Sequence, residues 1–140
     1  MRRGSSAVEI FDPLRRRWVT LTPEEWVRQN FTAYLIDHLG YPAALMGNEI
    51  SLTQNGIARR CDTLVADAAG RPLMIIEYKA PMVALSQAVI DQALRYVGAL
   101  QAPYLAVSNG LEHHCYHIDF TTRRVAALPS IPRYDLLRQP

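Results

Sequence analysis

An α/β fold of the α+β kind, a mixed sheet flanked by helices, follows from three observations. A capped helical period stands at residues 23–39; three strand-like runs joined by turn signals follow it; a second helical period after Pro81 then leads into two more strand-like runs. A chain of 140 residues, 49% apolar and 20% charged, is expected to form a single domain with a substantial core. That core spans about residues 18–120.

Residues 1–20 are a basic, irregular lead-in, in which Val8-Glu9-Ile10-Phe11-Asp12 reads as a short edge strand before Pro13. The first firm element opens at Thr22-Pro23-Glu24-Glu25, where Thr22 suits an N-cap, Pro23 the first helical position, and Glu25 completes a capping box. Trp26, Val27, Phe31, Tyr34, Leu35 and His38 recur at helical spacing, and Gly40 before Pro42 supplies the stop. The helix therefore runs from about Pro23 to about Leu39, with Trp26, like Trp18 upstream, expected as a core or staple residue. Strands at Leu45 to Thr53 and Ile57 to Asp67 are hinged on Gln54-Asn55-Gly56, since Asn-Gly suits the left-handed backbone of a tight hairpin. A second hairpin turns through Ala68-Ala69-Gly70-Arg71 into Leu73 to Lys79, with Pro72 tolerated at the strand's opening. After Pro81, Val89, Ala93, Val97 and Leu100 mark the apolar face of a second helix that begins near Val83 and is supported by an Asp91–Arg95 pair. Tyr104 to Ser108 and His113 to Phe120 read as two strands about an Asn109-Gly110 turn, and the proline- and arginine-rich chain from Arg123 as a peripheral tail.

No stretch approaches the roughly 18 uninterrupted apolar residues of a membrane span, and Met1-Arg2-Arg3-Gly4-Ser5-Ser6 is not followed by the apolar run of a signal peptide. A soluble cytoplasmic protein with no membrane partner is expected. Cys61 and Cys115 stand apart in apolar or aromatic segments, so they read as packed side chains, not as a disulfide or zinc framework. A net charge of +2 does not announce nucleic acid, yet arginines cluster at 15–17, 59–60 and 123–124 and so permit a polyanionic partner.

The chemistry concentrates at Glu77-Tyr78-Lys79, which ends an apolar run, with Asp62 fifteen positions upstream. Alternation along a strand puts Glu77 and Lys79 on one face and Met74, Ile76 and Tyr78 on the other. If Asp67 pairs with Pro72, counting inward sets Asp62 opposite Glu77, with Cβ atoms about 5 Å apart. The same counting through the Asn-Gly hairpin sets Glu49 opposite Asp62, giving a row of three carboxylates. Partly buried carboxylates so close drive one another to protonate unless a cation intervenes, and Mg²⁺ suits hard carboxylate oxygens. Such an ion activates water and stabilises a leaving oxygen, while a nearby lysine orients the water and offsets charge, so no side-chain nucleophile is needed.

These residues reach a known family. The order of helix, meander, helix and strand, with Asp62 on the second strand and Glu77-x-Lys79 ending the third, resembles the PD-(D/E)XK restriction-endonuclease-like superfamily and its αβββαβ core. Closer still, Leu21-Thr22-Pro23-Glu24-Glu25-Trp26-Val27-Arg28-Gln29, Arg60-Cys61-Asp62, Ile76-Glu77-Tyr78-Lys79-Ala80-Pro81 and Val107-Ser108-Asn109-Gly110 resemble the N-terminal nuclease domain of type I restriction enzyme R subunits and its free-standing relatives. The resemblance covers roughly Trp18 to Phe120 and implies a Mg²⁺-dependent endonuclease acting on DNA, with Mn²⁺ as a substitute ion. It implies metal binding by Asp62, Glu77 and the Tyr78 carbonyl, catalysis by Asp62, Glu77 and Lys79, and a Gln-x-x-x-Tyr motif at Gln92 and Tyr96 that contacts DNA or braces the site. Cys61 stands where the family usually has proline, a position that varies. No Walker phosphate loop is present, so ATP-driven translocation does not carry over.

Several residues carry two readings. Glu25 is a capping residue or the superfamily's auxiliary carboxylate on the first helix, and Glu49 a third metal-site carboxylate or a strand-edge charge. Arg60, sharing a face with Asp62, is a phosphate contact or a solvated arginine. His113, His114 and His117 cannot converge on one ion, because adjacent strand residues face opposite ways. Cutting both DNA strands usually needs two active sites, so besides DNA a homodimer or separate partner proteins are the candidate partners. The rival reading is a non-catalytic nucleic-acid-binding or assembly module of the same fold; a third is an unrelated α/β protein with a surface charge cluster.

Overall fold

Thr22 begins the first helix as expected: in extended conformation (φ −102°, ψ 165°), its hydroxyl accepts the Glu25 N–H at 3.0 Å, and Pro23 follows at the first helical position. Helix α1 spans Pro23–Leu39 and ends at Gly40, whose φ of 73° gives the left-handed cap that a side chain would strain. Its core stripe is narrower than the sequence predicts. Val27, Phe31 and Leu35 are buried at i, i+4 and i+8, whereas Trp26 and Tyr34 remain 45% and 43% exposed. Glu25, Arg28 and Thr32 are buried instead, so this helix covers a polar seam beside its apolar one. The capping box is half formed, because the Glu25 carboxylate turns away from Thr22 to accept from Arg15 and Gln29 at 2.7 and 2.9 Å.

The computed structural model describes residues 1–4, 6–54 and 56–140, with the side chains of residues 54, 57 and 99 outside the description. Strands β4 (Met46–Gln54), β5 (Ile57–Ala66) and β6 (Pro72–Tyr78) form the antiparallel meander. Asn55, the expected first residue of the first turn, lies outside the described residues; beside it Gly56 has φ 76°, and Gln54 pairs with Ile57. The second hairpin differs in one detail. Pro72 pairs with Ala66 instead of Asp67, and a bulge at Val65/Ala66 absorbs the offset, restoring Val65↔Met74 and Thr63↔Ile76. Asp67 is thereby freed to organise the turn, its carboxylate accepting the Ala69 and Arg71 N–H groups.

Helix α2 (Gln87–Leu100) starts later than expected, because Ser86 supplies the N-cap, its hydroxyl facing the Val89 N–H. The segment before it is tied to the sheet by Asn109 Nδ2 donating to the Val83 carbonyl at 2.8 Å. Strand β7 (Tyr104–Ser108) returns parallel to β6, the crossover geometry a helix permits, and β8 (His113–Asp119) and β9 (Arg124–Leu128) add antiparallel. The six-stranded order is β4-β5-β6-β7-β8-β9.

Two segments are more structured than expected. The lead-in folds into a separate three-stranded sheet of β1 (Arg2–Arg3), β2 (Val8–Asp12) and β3 (Arg17–Thr20), with β2 in the middle and not at an edge. Trp18 there packs edge-on against Phe11. The tail supplies β9, then buries Leu137, and fixes Tyr134 Oη on the Ala66 carbonyl and Tyr41 Oη on that of Pro132, both at 2.9 Å. Of these strands periodicity reveals only Val8–Asp12, because the others are too short or too weakly alternating.

The main sheet lies between two apolar layers. Val27, Phe31, Leu35, Met74, Ile76 and Tyr78 cluster on the α1 side, and Cys61, Ile75, Ile90, Ala93, Val97 and Leu105 on the α2 side. Both cysteines are buried and unbridged, as expected. Among the described residues no helix is long and apolar enough to cross a membrane.

Candidate active site

Side-chain alternation sends Met74, Ile76 and Tyr78 into the α1 layer and leaves Glu77 and Lys79 on the opposite face, Glu77 Oε1 lying 3.4 Å from Lys79 Nζ. One step beyond the last ladder pair, Thr63↔Ile76, Asp62 stands across from Glu77. There a side chain replaces the ladder, Asp62 Oδ2 accepting the Tyr78 N–H at 3.0 Å. In an extended strand the N–H and C=O of one residue point to the same edge, so the Tyr78 carbonyl also faces the Asp62 side. Lys79 is anchored on the other edge, its N–H donating to the Ser108 carbonyl at 2.9 Å.

The carboxylates are held against ionisation. Burial pushes the Asp62 carboxyl above its usual range and Glu49 adds to the effect, outweighing the Tyr78 N–H, Arg28 and Lys79. Burial also raises Glu77, against the pull of Lys79 and with repulsion from Asp62 and Glu24. Two half-buried carboxylates that disfavour each other's charge are the donor set a divalent cation relieves.

Glu49 marks a break in the strands. Asn48↔Thr63 and Ile50↔Cys61 flank it, placing it opposite Asp62 as counted, yet Glu49 itself has φ 56°. Asn48 and Thr63 are joined at 2.6 Å on the α1 side, where Tyr78 Oη donates to Thr63 at 3.0 Å. Leu52 and Cys61, of the same parities, instead pack in the α2 layer. Both strands thus reverse their faces around Glu49 and Asp62, a strained, bulge-like geometry of the kind found beside functional sites. The Glu49 carboxylate is taken by Arg28 Nη2 at 2.6 Å and Arg60 Nε at 3.0 Å. Glu25 lies behind it in the same buried network, and Arg28, 5% exposed, sits 5.7 Å from the Tyr78 ring centroid. Sequence reasoning passed over Arg28; an arginine directly beside Val27, within the stripe that Phe31 continues, was the available signal.

A cleft of about 320 Å³ opens between α2 and the β5–β6 pair, with Asp62, Glu77, Arg59, Arg60, Gln92, Arg95 and Tyr96 on its walls. Of the expected residues it gathers Asp62, Glu77, Arg60, Gln92 and Tyr96; Lys79 is not on its walls but contacts Glu77, and Glu25 and Glu49 both pair with Arg28. Tyr96 Oη donates to the Arg60 carbonyl, and its ring lies 5.9 Å beneath the Arg59 guanidinium. The expected Asp91–Arg95 pair is absent, Asp91 accepting from Gln87 Nε2 at 2.8 Å. The histidines lie elsewhere and apart, as alternation requires: His113 on Ser108 Oγ at 2.7 Å, His114 near Glu112, His117 against Tyr104. Among the described residues no three His, Cys, Asp or Glu side chains converge as a metal cluster. Two carboxylates with a backbone carbonyl are instead a sparse, all-oxygen set, which suits an ion that keeps several waters, as Mg²⁺ does.

The family model described as type I restriction enzyme R protein N terminus (HSDR_N) matches residues 23–132. No curated protein matches the chain. Among solved structures, a fragment assigned as an HsdR subunit of a type I restriction enzyme from Vibrio vulnificus YJ016 superposes with a TM-score of 0.61 at 22% identity, over 84% of this chain and 24% of that one. A DUF820 protein assigned as a nuclease, from Anabaena variabilis ATCC 29413, superposes with a TM-score of 0.50 at 12% identity, over 94% of this chain and 86% of that one. At these identities the likeness is one of fold, and the chain spans about a quarter of the length of the HsdR fragment.

Proposed function

We propose a function from one premise: this chain belongs to the family of type I restriction enzyme R protein N termini. On this reading it is a metal-dependent endonuclease domain that hydrolyses DNA phosphodiester bonds by direct attack of water. The observation that carries the reading is the convergence of Asp62 and Glu77, with Lys79 3.4 Å from Glu77, on one arginine-lined cleft.

Asp62, Glu77 and the Tyr78 carbonyl would hold Mg²⁺, or Mn²⁺ in its place. When bound, the ion supplies Lewis acidity at the phosphoryl group and a water of lowered pKa. The protein's own groups do the rest. Asp62, fixed by the Tyr78 N–H, cannot swing out of register with Glu77. Lys79, fixed at its backbone by Ser108, orients the attacking water and offsets the negative charge that grows on the phosphate as the bond forms. The Asp12–Asn48–Thr63–Tyr78 hydrogen-bond chain stiffens the strands from beneath.

The test is nicking of supercoiled plasmid with Mg²⁺ by wild type and by Lys79→Ala. Loss of most of the rate, on the order of 10²-fold or more, is expected for the variant. Equal activity in the two would sink the mechanism, and salt-sensitive DNA binding without cleavage under any divalent ion would favour a non-catalytic binding or assembly module instead.

A further inference from the structure

The arginine that sequence parity singles out is not the one left available. Arg60 is exposed, but its Nε lies 3.0 Å from Glu49 Oε2, while the other oxygen of that carboxylate takes the buried Arg28 at 2.6 Å. Its charge is already answered within the fold. Arg59 and Arg95 line the same cleft, and among the described residues neither has an acidic partner within salt-bridge distance. Asp91, one turn before Arg95, is occupied by Gln87. Neither guanidinium lies within salt-bridge distance of the Asp62 or Glu77 carboxylate on the same cleft, so each is available to an anion brought in from outside.

We propose that Arg59 and Arg95 seat the phosphates of a DNA backbone across the Asp62–Glu77 pair, and that Tyr96 is the positioning residue for Arg59. This rests on the nuclease reading above for the identity of the ligand. A guanidinium over an aromatic face keeps N–H groups available for phosphate oxygens, and Arg59 Cζ lies over the Tyr96 ring at 5.9 Å from its centroid, at the outer range of such a contact. The Tyr96 hydroxyl is committed to the Arg60 carbonyl, tying α2 to β5, so the ring and not the hydroxyl serves the site. Of the two roles the Gln-x-x-x-Tyr motif allows, Tyr96 takes bracing.

The measurement is binding of a fluorescein-labelled DNA duplex of mixed sequence in EDTA, where cleavage is silent and Mg²⁺ does not compete, followed as a function of salt. Each phosphate contact removed lowers the slope of log K against log salt by about 0.9. Arg59→Ala and Arg95→Ala should each show that loss, and Arg59→Lys and Arg95→Lys should retain most of the slope. Arg133→Ala, removing an exposed charge near the far end of α1, should leave it unchanged. Tyr96→Phe should keep the slope; Tyr96→Leu should lower it as Arg59→Ala does, with no further loss when the two are combined. Far-UV circular dichroism and Tm establish that each variant is folded. Wild-type slopes in both alanine variants, an equal loss in Arg133→Ala, or additive losses for Tyr96→Leu and Arg59→Ala would overturn the proposal. Unchanged slopes alongside Lys79-dependent nicking would refute this assignment alone, whereas the expected slopes without nicking would leave it standing and refute the nuclease reading.

Discussion

Asp62 and Glu77 work against the fold that holds them. A carboxyl whose folded pKa is raised favours folding only while protonated, so its contribution is lost, and becomes a cost, as pH rises from the unfolded value through the folded one. At neutral pH both groups therefore destabilise the metal-free protein. Glu77→Gln should raise Tm in EDTA by a few degrees, roughly 1 kcal/mol, a modest figure because the side chain is 31% exposed and partly screened. If Asp62 and Glu77 hold Mg²⁺ as proposed, the ion should raise the Tm of wild type and this variant should lose that increase. A lower Tm for Glu77→Gln in EDTA would mean that the carboxylate serves the fold and not a cation. The cost was hidden in the linear sequence, since Glu-Tyr-Lys reads as well as an exposed ion pair until the Asp62 strand is laid beside it.

At the level of elements, the N-terminal sheet depends on one buried acid. Asp12, with no exposure, accepts from Arg15, from Asn48 Nδ2 at 3.2 and 3.1 Å, and from the Leu14 N–H at 2.9 Å. Burial alone would raise its pKa, but these donors outweigh burial and hold the carboxyl below the ordinary range. The sign is opposite to that at Glu77: the stabilisation is present above the ordinary carboxylate pKa and is lost as pH falls through the lower, folded value. Asp12→Ala removes the acceptor of Arg15 Nε and of Asn48 Nδ2, leaving Arg15 only its bond to Glu25, and should destabilise the protein by about 3 kcal/mol. Its urea midpoint should drop at pH 7, with a smaller difference from wild type at pH values below the folded pKa. A midpoint equal to wild type at pH 7 would show that the small sheet rests on other contacts. Sequence patterning found Val8–Asp12 as a strand but not its place, because a middle strand and an edge strand have the same alternation until their neighbours are known.

Over the whole molecule, α1 and α2 close two apolar layers on opposite faces of one sheet, and the hydrogen-bond chain from Asp12 through Asn48 and Thr63 to Tyr78 links the small sheet to β6, the strand that carries Glu77. Unfolding should therefore be a single transition, with Trp18 and Trp26 fluorescence and far-UV circular dichroism tracing one midpoint. An earlier change in fluorescence than in helicity would show that the small sheet melts on its own. The sequence by itself determined helix α1 at both ends, the five strands from β4 to β8 to within a residue or two, the shared face of Glu77 and Lys79, and Asp62 opposite Glu77. Caps, turns and alternation act between near neighbours in the chain, so they are written locally. Only the tertiary structure decided that Glu49 spends its charge on Arg28 and Arg60, that the strands reverse faces at Glu49 and Asp62, that the tail supplies β9 and buries Leu137, and that of the three arginines on the cleft Arg59 and Arg95 have no acidic partner among the described residues. Each of those outcomes depends on which distant charges and surfaces meet once the core closes, and pairing between residues far apart in sequence is fixed by packing, not by local pattern.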